Sequence, residues 1–403
     1  MNSNHLNQFM NFLNGFLIII TISTVLVSCK TPNDKSQVSN SIEIEELLDS
    51  RYEQVLNYSL DSLAFPRSYN PVTQTVLKRP SKDWTSGFYA GNLWMLHQLS
   101  GVSRFRESAI KWTDFIEKEK YNDRTHDMGF KVYNSFGLGY KQTQDPHYKN
   151  VIVESAQTLS TRFNKNVQSI RSWDFNKDKW EFPVIIDNMM NLELLFEATK
   201  LSGDSTYHNM AVQHANTTLK NHFRDNHSTV HVVVYDTING QVKDRVTHQG
   251  YSKESSWARG QGWAIYGYTM AYRYTKDPRY LEQAENTAQF FINHKRLPQD
   301  GIPYWDFDAP NIPDEPRDVS AAAIVGSALV EMFEYTGKQE YLDYSRKVLN
   351  SLKSEEYILP ADLKIPFILQ HSSGDWSKRS EMDEPIIYGD YYFLELMLRL
   401  KKK

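Results

Sequence analysis

Two aspartates have sequence surroundings that suit acid–base chemistry. Asp187 lies among apolar neighbours at the start of a helical pattern, in residues 185–192, Ile-Ile-Asp-Asn-Met-Met-Asn-Leu. Asp127 opens a second such pattern, in residues 125–130, Thr-His-Asp-Met-Gly-Phe. Apolar burial raises a carboxyl pKa whereas a helix N-terminus lowers it, so the sequence leaves the balance at Asp187 open. Two acids in one site can catalyse either glycosidic hydrolysis or protonation of an activated double bond.

Each aspartate taken alone is more simply explained as a helix N-cap, a role that Asp fills in many proteins. The catalytic interpretation gains from the companions of the pair, which are His126, Arg259 and several tryptophans. An acid pair beside a histidine, a cation and aromatic rings is typical of a site that handles a polar ring.

The stretch from Thr247 to Tyr268 has the composition of a binding segment. It contains two glutamines, one arginine, two tryptophans and four glycines, among them Gln249, Trp257, Arg259 and Trp263. The planar guanidinium of Arg259 suits a carboxylate ligand. The alternative is a buried packing cluster in which Arg259 pairs with a structural acid.

Composition and missing motifs exclude several other function classes. Lys and Arg number 45 against 49 Asp and Glu, a formal net charge of -4 that argues against a nucleic-acid-binding surface. The chain has no His-Glu-x-x-His metal helix, no Gly-x-Ser-x-Gly elbow and no Gly-x-x-x-x-Gly-Lys loop. We therefore predict neither a metal nor another cofactor.

A repeat of helix pairs predicts the architecture. Five short turns rich in Gly or Asp-Pro each precede an aromatic residue that opens a second helical run, at Phe105, Tyr148, Tyr207, Tyr280 and Tyr341. The first helices of the pairs begin near Trp84, Asp127, Asp187, Trp257 and Asp318, and a sixth begins near Asp390. An amphipathic helix over residues 41–63 can pair with that last helix, which gives an all-α (α/α)6 barrel. If Asp318 is only a helix cap, replacing it with Asn should mainly change stability.

A small β-hairpin is predicted at the mouth of this barrel. Residues 230–235, Val-His-Val-Val-Val-Tyr, have a strand composition, and Asn239-Gly240 is the strongest signal for a two-residue hairpin turn. The hairpin would present His231 to the site.

The N-terminal segment indicates an exported, lipid-anchored protein. Residues 1–28 have the pattern of a lipoprotein signal peptide, and Cys29 would be the lipidated N-terminus. Residues 29–40 would be a tether and residues 41–403 one catalytic domain. We expect the protein in the bacterial cell envelope, in contact with a membrane only through the anchor. An ordinary cleaved signal peptide is the alternative.

Several motifs, taken together, resemble those of the unsaturated glucuronyl hydrolases of glycoside hydrolase family 88. They are residues 83–88, 125–130, 186–192, 247–268 and 388–392, in order along most of the mature chain. The resemblance implies an (α/α)6 enzyme that removes a C4=C5 unsaturated uronic acid from oligosaccharides made by polysaccharide lyases. Chondroitin, hyaluronan, heparin, gellan and xanthan all give such ends, so the upstream polymer stays open.

The resemblance also implies residue roles. Asp187 would protonate C4 and then activate the water that adds at C5, while Asp127 would hold ring hydroxyls and tune Asp187. The residues around the uronate would be Trp84, His126, His231, Gln249, Trp257, Arg259 and Trp263.

Residues 371–384 form a long loop that could contact the aglycone sugar. Our hypothesis is a subsite made of Ser377, Lys378, Arg379 and Ser380, and a solvated charged loop is about equally consistent with the sequence. Two rival functions remain at this point: an inverting glycosidase acting on saturated sugars, and a surface lipoprotein that binds glycans without turnover.

Overall fold

The structure, a computed structural model, describes residues 33–403, with side chains from Ile44 onward. The predicted signal peptide, residues 1–28, and the predicted lipidation site Cys29 lie outside the described residues. Residues Glu43–Lys403 form one compact unit, which contains the barrel.

Twelve α-helices occur in the described part of the chain. In order they are α1 (Asn33–Leu56), α2 (Ser86–Ser100), α3 (Ser103–Asp114), α4 (Leu138–Thr143), α5 (Pro146–Ser160), α6 (Asn188–Ser202), α7 (Ser205–Asn221), α8 (Ala258–Thr275), α9 (Pro278–Ile292), α10 (Val319–Thr336), α11 (Gln339–Leu352) and α12 (Ile387–Leu400). A π-helix, Gly129–Gly137, continues directly into α4. Two short 3-10 helices are Glu117–Tyr121 and Trp376–Lys378.

The inner helices form a closed ring, as predicted. Around the ring, α2 contacts the π-helix, which contacts α6, and α6, α8, α10 and α12 then contact one another in turn. Contacts between α12 and α2 close the circle. Outer helices α3, α5, α7, α9 and α11 pack against this ring, so the fold is the (α/α)6 barrel that the helix-pair repeat indicates. The inner helices are buried on nearly all sides, which explains why α10 is mostly apolar and why even Arg259 and Gln261 of α8 are buried.

The turns between paired helices have the chemistry expected from the sequence. Gly101, Gly203 and Gly337 end inner helices in the left-handed conformation, with φ of 73°, 80° and 66°. Asp204 and Asp277 cap the outer helices that follow, because their side chains accept from the backbone N–H two residues later.

Helix α1 differs from its predicted range of 41–63. It begins at Asn33, within the predicted tether, and ends at Leu56. After the helix ends, Asp61 accepts hydrogen bonds from the backbone N–H groups of Leu63 and Ala64, just before the first strand begins at Phe65. The Tyr52 hydroxyl lies 3.6 Å from the sulfur of Met397, so α1 packs beside α12 as expected.

The prediction that the sixth inner helix starts at Asp390 is wrong, because α12 begins three residues earlier, at Ile387. Asp390 lies inside the first turn of α12. Its buried carboxylate accepts from the backbone N–H groups of Ile368 (3.0 Å) and Leu369 (2.9 Å), and burial raises its pKa to about 7. Asp390 therefore anchors the preceding loop instead of facing the mouth.

Four small antiparallel sheets decorate the barrel. They pair β1 (Phe65–Asn70) with β2 (Thr75–Arg79), β3 (Phe163–Asn164) with β4 (Ser169–Ile170), β5 (Phe182–Ile185) with β6 (Val232–Tyr235) and β7 (Val242–Val246), and β8 (Ser372–Asp375) with β9 (Ser380–Glu384). The predicted hairpin is β6–β7, but its turn spans 236–241 and is not a two-residue turn. Strand β5, which the sequence analysis did not predict, completes a three-stranded sheet.

Candidate active site

A cavity of about 390 Å³ lies at the mouth of the barrel, where the inner helices begin. Six residues proposed from the sequence line it: Trp84, His126, Asp127, Asp187, Gln249 and Lys378. Other lining residues were not proposed: Arg67, Arg124, Trp173, Asp174, Phe175, His248 and Asp375. Four other proposed residues, His231, Trp257, Arg259 and Trp263, are buried and do not line this cavity. No three His, Cys, Asp or Glu side chains within residues 33–403 group as a metal site.

Asp187 is held where strand β5 turns into helix α6. Its side chain is only 12% exposed, and burial raises the pKa of its carboxyl to about 7, opposed chiefly by the positive charge of Arg259. The nearby charge of Asp127 raises the pKa further, whereas the indole of Trp263 lowers it. Oδ2 of Asp187 has no hydrogen-bond partner among the described residues. The group can therefore hold a proton near neutral pH and present it to a ligand.

His231 lies beside Asp187 because the β5–β6 pairing extends past the strands. The backbone N–H of Ile186 donates to the carbonyl of His231 (3.1 Å), and His231 Nε2 lies 3.7 Å from Asp187 Oδ2. Nδ1 accepts from the backbone N–H groups of His248 (3.2 Å) and Gln249 (3.1 Å), which assigns the proton to Nε2. Burial lowers the pKa of His231 well below its usual value, so the ring is neutral beside the Asp187 carboxyl.

Asp127 lies just before the π-helix, in contact with two polar neighbours. Its Oδ2 accepts from the Thr125 hydroxyl (2.7 Å), and its Oδ1 lies 3.2 Å from Nε2 of His126. Burial lowers the pKa of His126, so this pair is a neutral ring beside a carboxylate. Neither Asp127 nor Asp187 accepts a capping hydrogen bond from its helix, so the simple N-cap interpretation fails for both.

Arg259 makes the contacts of the alternative interpretation, a structural ion pair. Nη1 donates to Asp318 Oδ2 (2.8 Å) and to the carbonyl of Ser373, and Nη2 donates to the carbonyl of Gly374 (2.7 Å). The guanidinium also lies over the rings of Trp257 (4.8 Å) and Tyr388 (5.2 Å). Its fork is thus used by the protein, and its charge acts on Asp187 from behind the cavity wall.

The three predicted tryptophans occupy different positions. Trp84 lines the cavity and packs against Phe130, with ring centroids 5.4 Å apart. Trp257 is buried and packs on the His231 ring at 4.6 Å. Trp263 is fully buried, and its Nε1 has no hydrogen-bond partner in the described part of the chain. One tryptophan is therefore a cavity wall, and the other two support the groups behind it.

An aromatic wall that the sequence analysis missed faces the cavity. Trp173 stacks on Phe175 with centroids 4.7 Å apart and an interplanar angle of 19°, and both pack against His248 at 5.4 and 5.7 Å. Trp180 adds a third ring behind them. The available signal was the run of two tryptophans and two phenylalanines in the polar segment 172–182, an aromatic density unusual for a loop.

The predicted aglycone residues lie on the β8–β9 hairpin. Lys378 lines the cavity, with Nζ 2.6 Å from Asp375 Oδ2. Ser377 also bonds Asp375, and Arg379 stacks over the Trp376 ring at 4.2 Å. Ser377, Arg379 and Ser380 do not line the cavity in this structure.

This barrel and this site define a class of protein, the (α/α)6-barrel glycoside hydrolases. Residues 64–296 match Glycosyl Hydrolase Family 88. The chain is 57% identical over 386 residues to an unsaturated glucuronyl hydrolase of Formosa agariphila, covering 95% of this chain and 96% of that protein. It is 30% identical over 380 residues to an unsaturated chondroitin disaccharide hydrolase of Streptococcus agalactiae, covering 91% and 94%.

Solved structures agree with these sequence matches. An unsaturated glucuronyl hydrolase specific for heparin superposes with a TM-score of 0.86 at 42% identity, covering 90% of this chain and 96% of that one. The unsaturated glucuronyl hydrolase of Bacillus sp. GL1 gives a TM-score of 0.82 at 28% identity, covering 90% and 97%. The chain belongs to glycosyl hydrolase family 88, and it is a glycoside hydrolase.

Proposed function

We propose that this enzyme removes the 4,5-unsaturated uronic acid from the non-reducing end of lyase-generated oligosaccharides. One observation carries the proposal: Asp187 lines the cavity together with Asp127, and burial raises the pKa of its carboxyl to about 7. A carboxyl that is protonated near neutral pH can protonate the carbon of an enol ether. The similarity to unsaturated glucuronyl and unsaturated chondroitin disaccharide hydrolases supports this choice of substrate class.

The reaction uses Asp187 twice. Its carboxylic acid gives a proton to C4 of the unsaturated ring, and positive charge develops at C5 and the ring oxygen. Water adds at C5 while the Asp187 carboxylate takes one of its protons, which restores the acid. The resulting hemiketal opens to a ketone at C5 and leaves a hemiacetal at C1. Collapse of this hemiacetal to an aldehyde breaks the bond from C1 to the aglycone oxygen, which takes up the proton, and the aglycone sugar leaves.

Neighbouring groups orient the substrate and tune the acid. Asp127 accepts hydrogen bonds from ring hydroxyls, and its charge helps keep Asp187 protonated. The Nε2–H of His231, directed at Asp187 from 3.7 Å, stabilises the carboxylate that forms after C4 protonation. Trp84 and the Trp173–Phe175 pair offer apolar faces to the sugar rings.

The β8–β9 hairpin is proposed to contact the aglycone sugar. Lys378 supports this, since it lines the cavity and 64% of its side chain is exposed. Ser377, Arg379 and Ser380 are its neighbours on the same hairpin and would face substituents farther from the reacting ring.

A location in the bacterial cell envelope is proposed from the sequence of residues 1–29. Cys29 would carry the lipid, and residues 30–40 would connect it to the enzyme. Replacing Cys29 with Ser should move the enzyme from the membrane fraction to the soluble fraction. Membrane association that is unchanged in this variant would contradict the anchor.

The ultraviolet absorbance of the conjugated C4=C5 carboxylate tests the reaction. The purified enzyme is incubated with a panel of unsaturated disaccharides, and we expect loss of absorbance with release of the partner sugar. Asp187→Asn should fold normally by circular dichroism and lose turnover by roughly 10³-fold or more, and Asp127→Asn should also be severely impaired. Full activity of Asp187→Asn would contradict the mechanism. Turnover of saturated glycosides would favour an inverting glycosidase, and binding without turnover a glycan-binding protein.

A further inference from the structure

Asp318 makes more contacts than a helix cap requires. Oδ1 accepts from the backbone N–H of Ser320 (3.1 Å) and from the Ser320 hydroxyl (2.5 Å), which caps α10. Oδ2 accepts from Arg259 Nη1 at 2.8 Å. Both side chains of the ion pair are almost fully buried, with exposures of 1% for Arg259 and 0% for Asp318. Asp318 is therefore more than a helix cap.

The same pair fixes the start of the β8–β9 hairpin. Arg259 donates to the carbonyls of Ser373 and Gly374, two consecutive residues of β8. Gln249, which lines the active site, donates to the Gly374 carbonyl at 3.3 Å. The guanidinium thus joins α8, α10 and the hairpin that carries Lys378.

The charge of Arg259 reaches the catalytic carboxyl. The titratable groups that face Asp187 are His231 beside β6, Asp127 before the π-helix and Arg259 of α8. The groups that face Arg259 are Asp318 of α10, Tyr388 of α12 and Asp187 itself. His231 and Tyr388 are neutral at pH 7 because burial disfavours their charged forms. Asp318 is therefore the anion that pairs with Arg259 and offsets its charge.

We propose that Asp318 is a positioning residue for the hydrolysis, holding the Arg259 guanidinium against β8 and offsetting the charge that Arg259 presents to Asp187. The inference depends on the proposed function, in which Asp187 must be protonated to start the reaction. Removal of either partner then changes the protonation of Asp187, in opposite directions.

Two charge-removing variants test this. Asp318→Asn keeps an oxygen that can cap α10 but removes the anion, so the pKa of Asp187 should fall and the alkaline limb of the kcat/KM profile should move to lower pH. Arg259→Gln removes the cation, so the same limb should move to higher pH. We expect shifts of about half a pH unit or more in each case.

A matched control separates this role from a structural one. Asp277 also caps a helix, by accepting from the backbone N–H of Arg279 (3.0 Å), and also pairs with that arginine (2.5 Å), but it lies on the outer helix α9. Asp277→Asn should leave the profile in place. If Asp318→Asn behaves like Asp277→Asn, or if both active-site variants shift in the same direction, the proposal is overturned. If Asp318→Asn does not fold, Arg259→Gln alone decides by the direction of its shift.

A readout without turnover distinguishes this inference from the proposed reaction. Aspartate labelled with 13C at Cγ reports the titration of Asp187 by NMR, and its signal is assigned by its absence in Asp187→Asn. Suppose that the wild-type enzyme turns over no unsaturated sugar, but the pKa of Asp187 falls in Asp318→Asn and rises in Arg259→Gln. That result would support the role of Asp318 in positioning Arg259 and would contradict the proposed function. Normal turnover of the wild-type enzyme, with an Asp187 titration that is the same in both variants, would support the proposed function and overturn the positioning role.

Discussion

A carboxyl group at a helix N-terminus usually accepts hydrogen bonds from the first backbone N–H groups, and Asp318 does so for α10. Asp187 holds the same position at α6 without any side-chain capping bond. Its own burial therefore outweighs the helix N-terminus, and its pKa rises to about 7. The sequence identified both aspartates, but local pattern alone could not separate their roles, because the difference lies in the capping bonds from Ser320 and the ion pair with Arg259.

The raised pKa of Asp187 predicts a stability effect with a definite sign. The unfolded carboxyl titrates near its ordinary value of 3.8 and the folded one near 7, so the free energy of unfolding falls as pH rises between these values. Asp187→Asn removes this loss and should be more stable than the wild type by about 4 kcal/mol at pH 8 but similar at pH 4. Urea unfolding at the two pH values measures the difference.

The exposed cap aspartate Asp204 is a control for that measurement. Hydrogen bonds from Thr206 lower the pKa of its carboxyl, so Asp204→Asn should not gain stability at alkaline pH. A gain of equal size in both variants would show that burial of Asp187 is not its cause.

At the scale of elements, the hairpin β8–β9 is fixed to the barrel at both strands. Arg259 holds β8, while Arg67 of β1 makes a two-bond contact with Glu381 of β9, both bonds being 2.7 Å. The sequence placed this segment at the mouth but not its strand pairing. Arg67 and Glu381 are 314 residues apart, and no local pattern indicates a contact across that distance. Strand β5 was not predicted either, because it pairs with β6, which lies far from it in the sequence.

The exposed cations of the β8–β9 hairpin, Lys378 and Arg379, lead us to expect a preference for sulfated over unsulfated substrates. Replacing both Lys378 and Arg379 with Ala should raise KM about tenfold for sulfated disaccharides and change it little for unsulfated ones, because an exposed cation pair attracts a sulfate. Steady-state kinetics on matched sulfated and unsulfated substrates measure this.

Arg346 and Lys347, which are adjacent to each other in outer helix α11, are the matched control for that experiment. Their double alanine variant should leave both KM values unchanged. Equal losses on sulfated and unsulfated substrates in the Lys378 and Arg379 variant would refute the subsite.

At the scale of the whole molecule, the end of the barrel opposite the site is held by buried charges. Glu331 of α10 accepts from Arg273 of α8 (2.6 Å) and from Arg399 of α12 (2.8 Å). Arg273 also pairs with Glu193 of α6 at 2.7 Å, so one network joins four consecutive inner helices. Helix spacing in the sequence predicted the ring itself, because apolar periodicity and turns are local. The network was not predictable, since it depends on which helix faces meet.

Loss of the central acid of this network should weaken the barrel. Glu331→Gln leaves two partly buried guanidinium groups less compensated and should cost about 2 kcal/mol of unfolding free energy at pH 7. The two arginines hold the pKa of Glu331 well below its usual value, so its contribution is present at neutral pH and lost as pH falls. The gap to the wild type should therefore narrow in acid, as guanidinium chloride titrations at pH 7 and pH 4 would show.

Glu334 is the matched control on the same helix. It pairs with Lys403 at 2.8 Å, but 46% of its side chain is exposed, so Glu334→Gln should cost little. An equal loss from both glutamates would contradict the network as the source of stability.

The contact between α2 and α12 that closes the ring can form only after α12, the last helix, has been synthesised. Ser86 and Ile387, the first residues of these helices, are about 300 positions apart, and ribosomes add roughly 5–20 residues per second. For about 15–60 seconds, α2 therefore waits with one apolar side uncovered. Non-local closure of this kind also slows folding after release. The nascent chain thus remains a client for holding chaperones until its last helix has emerged.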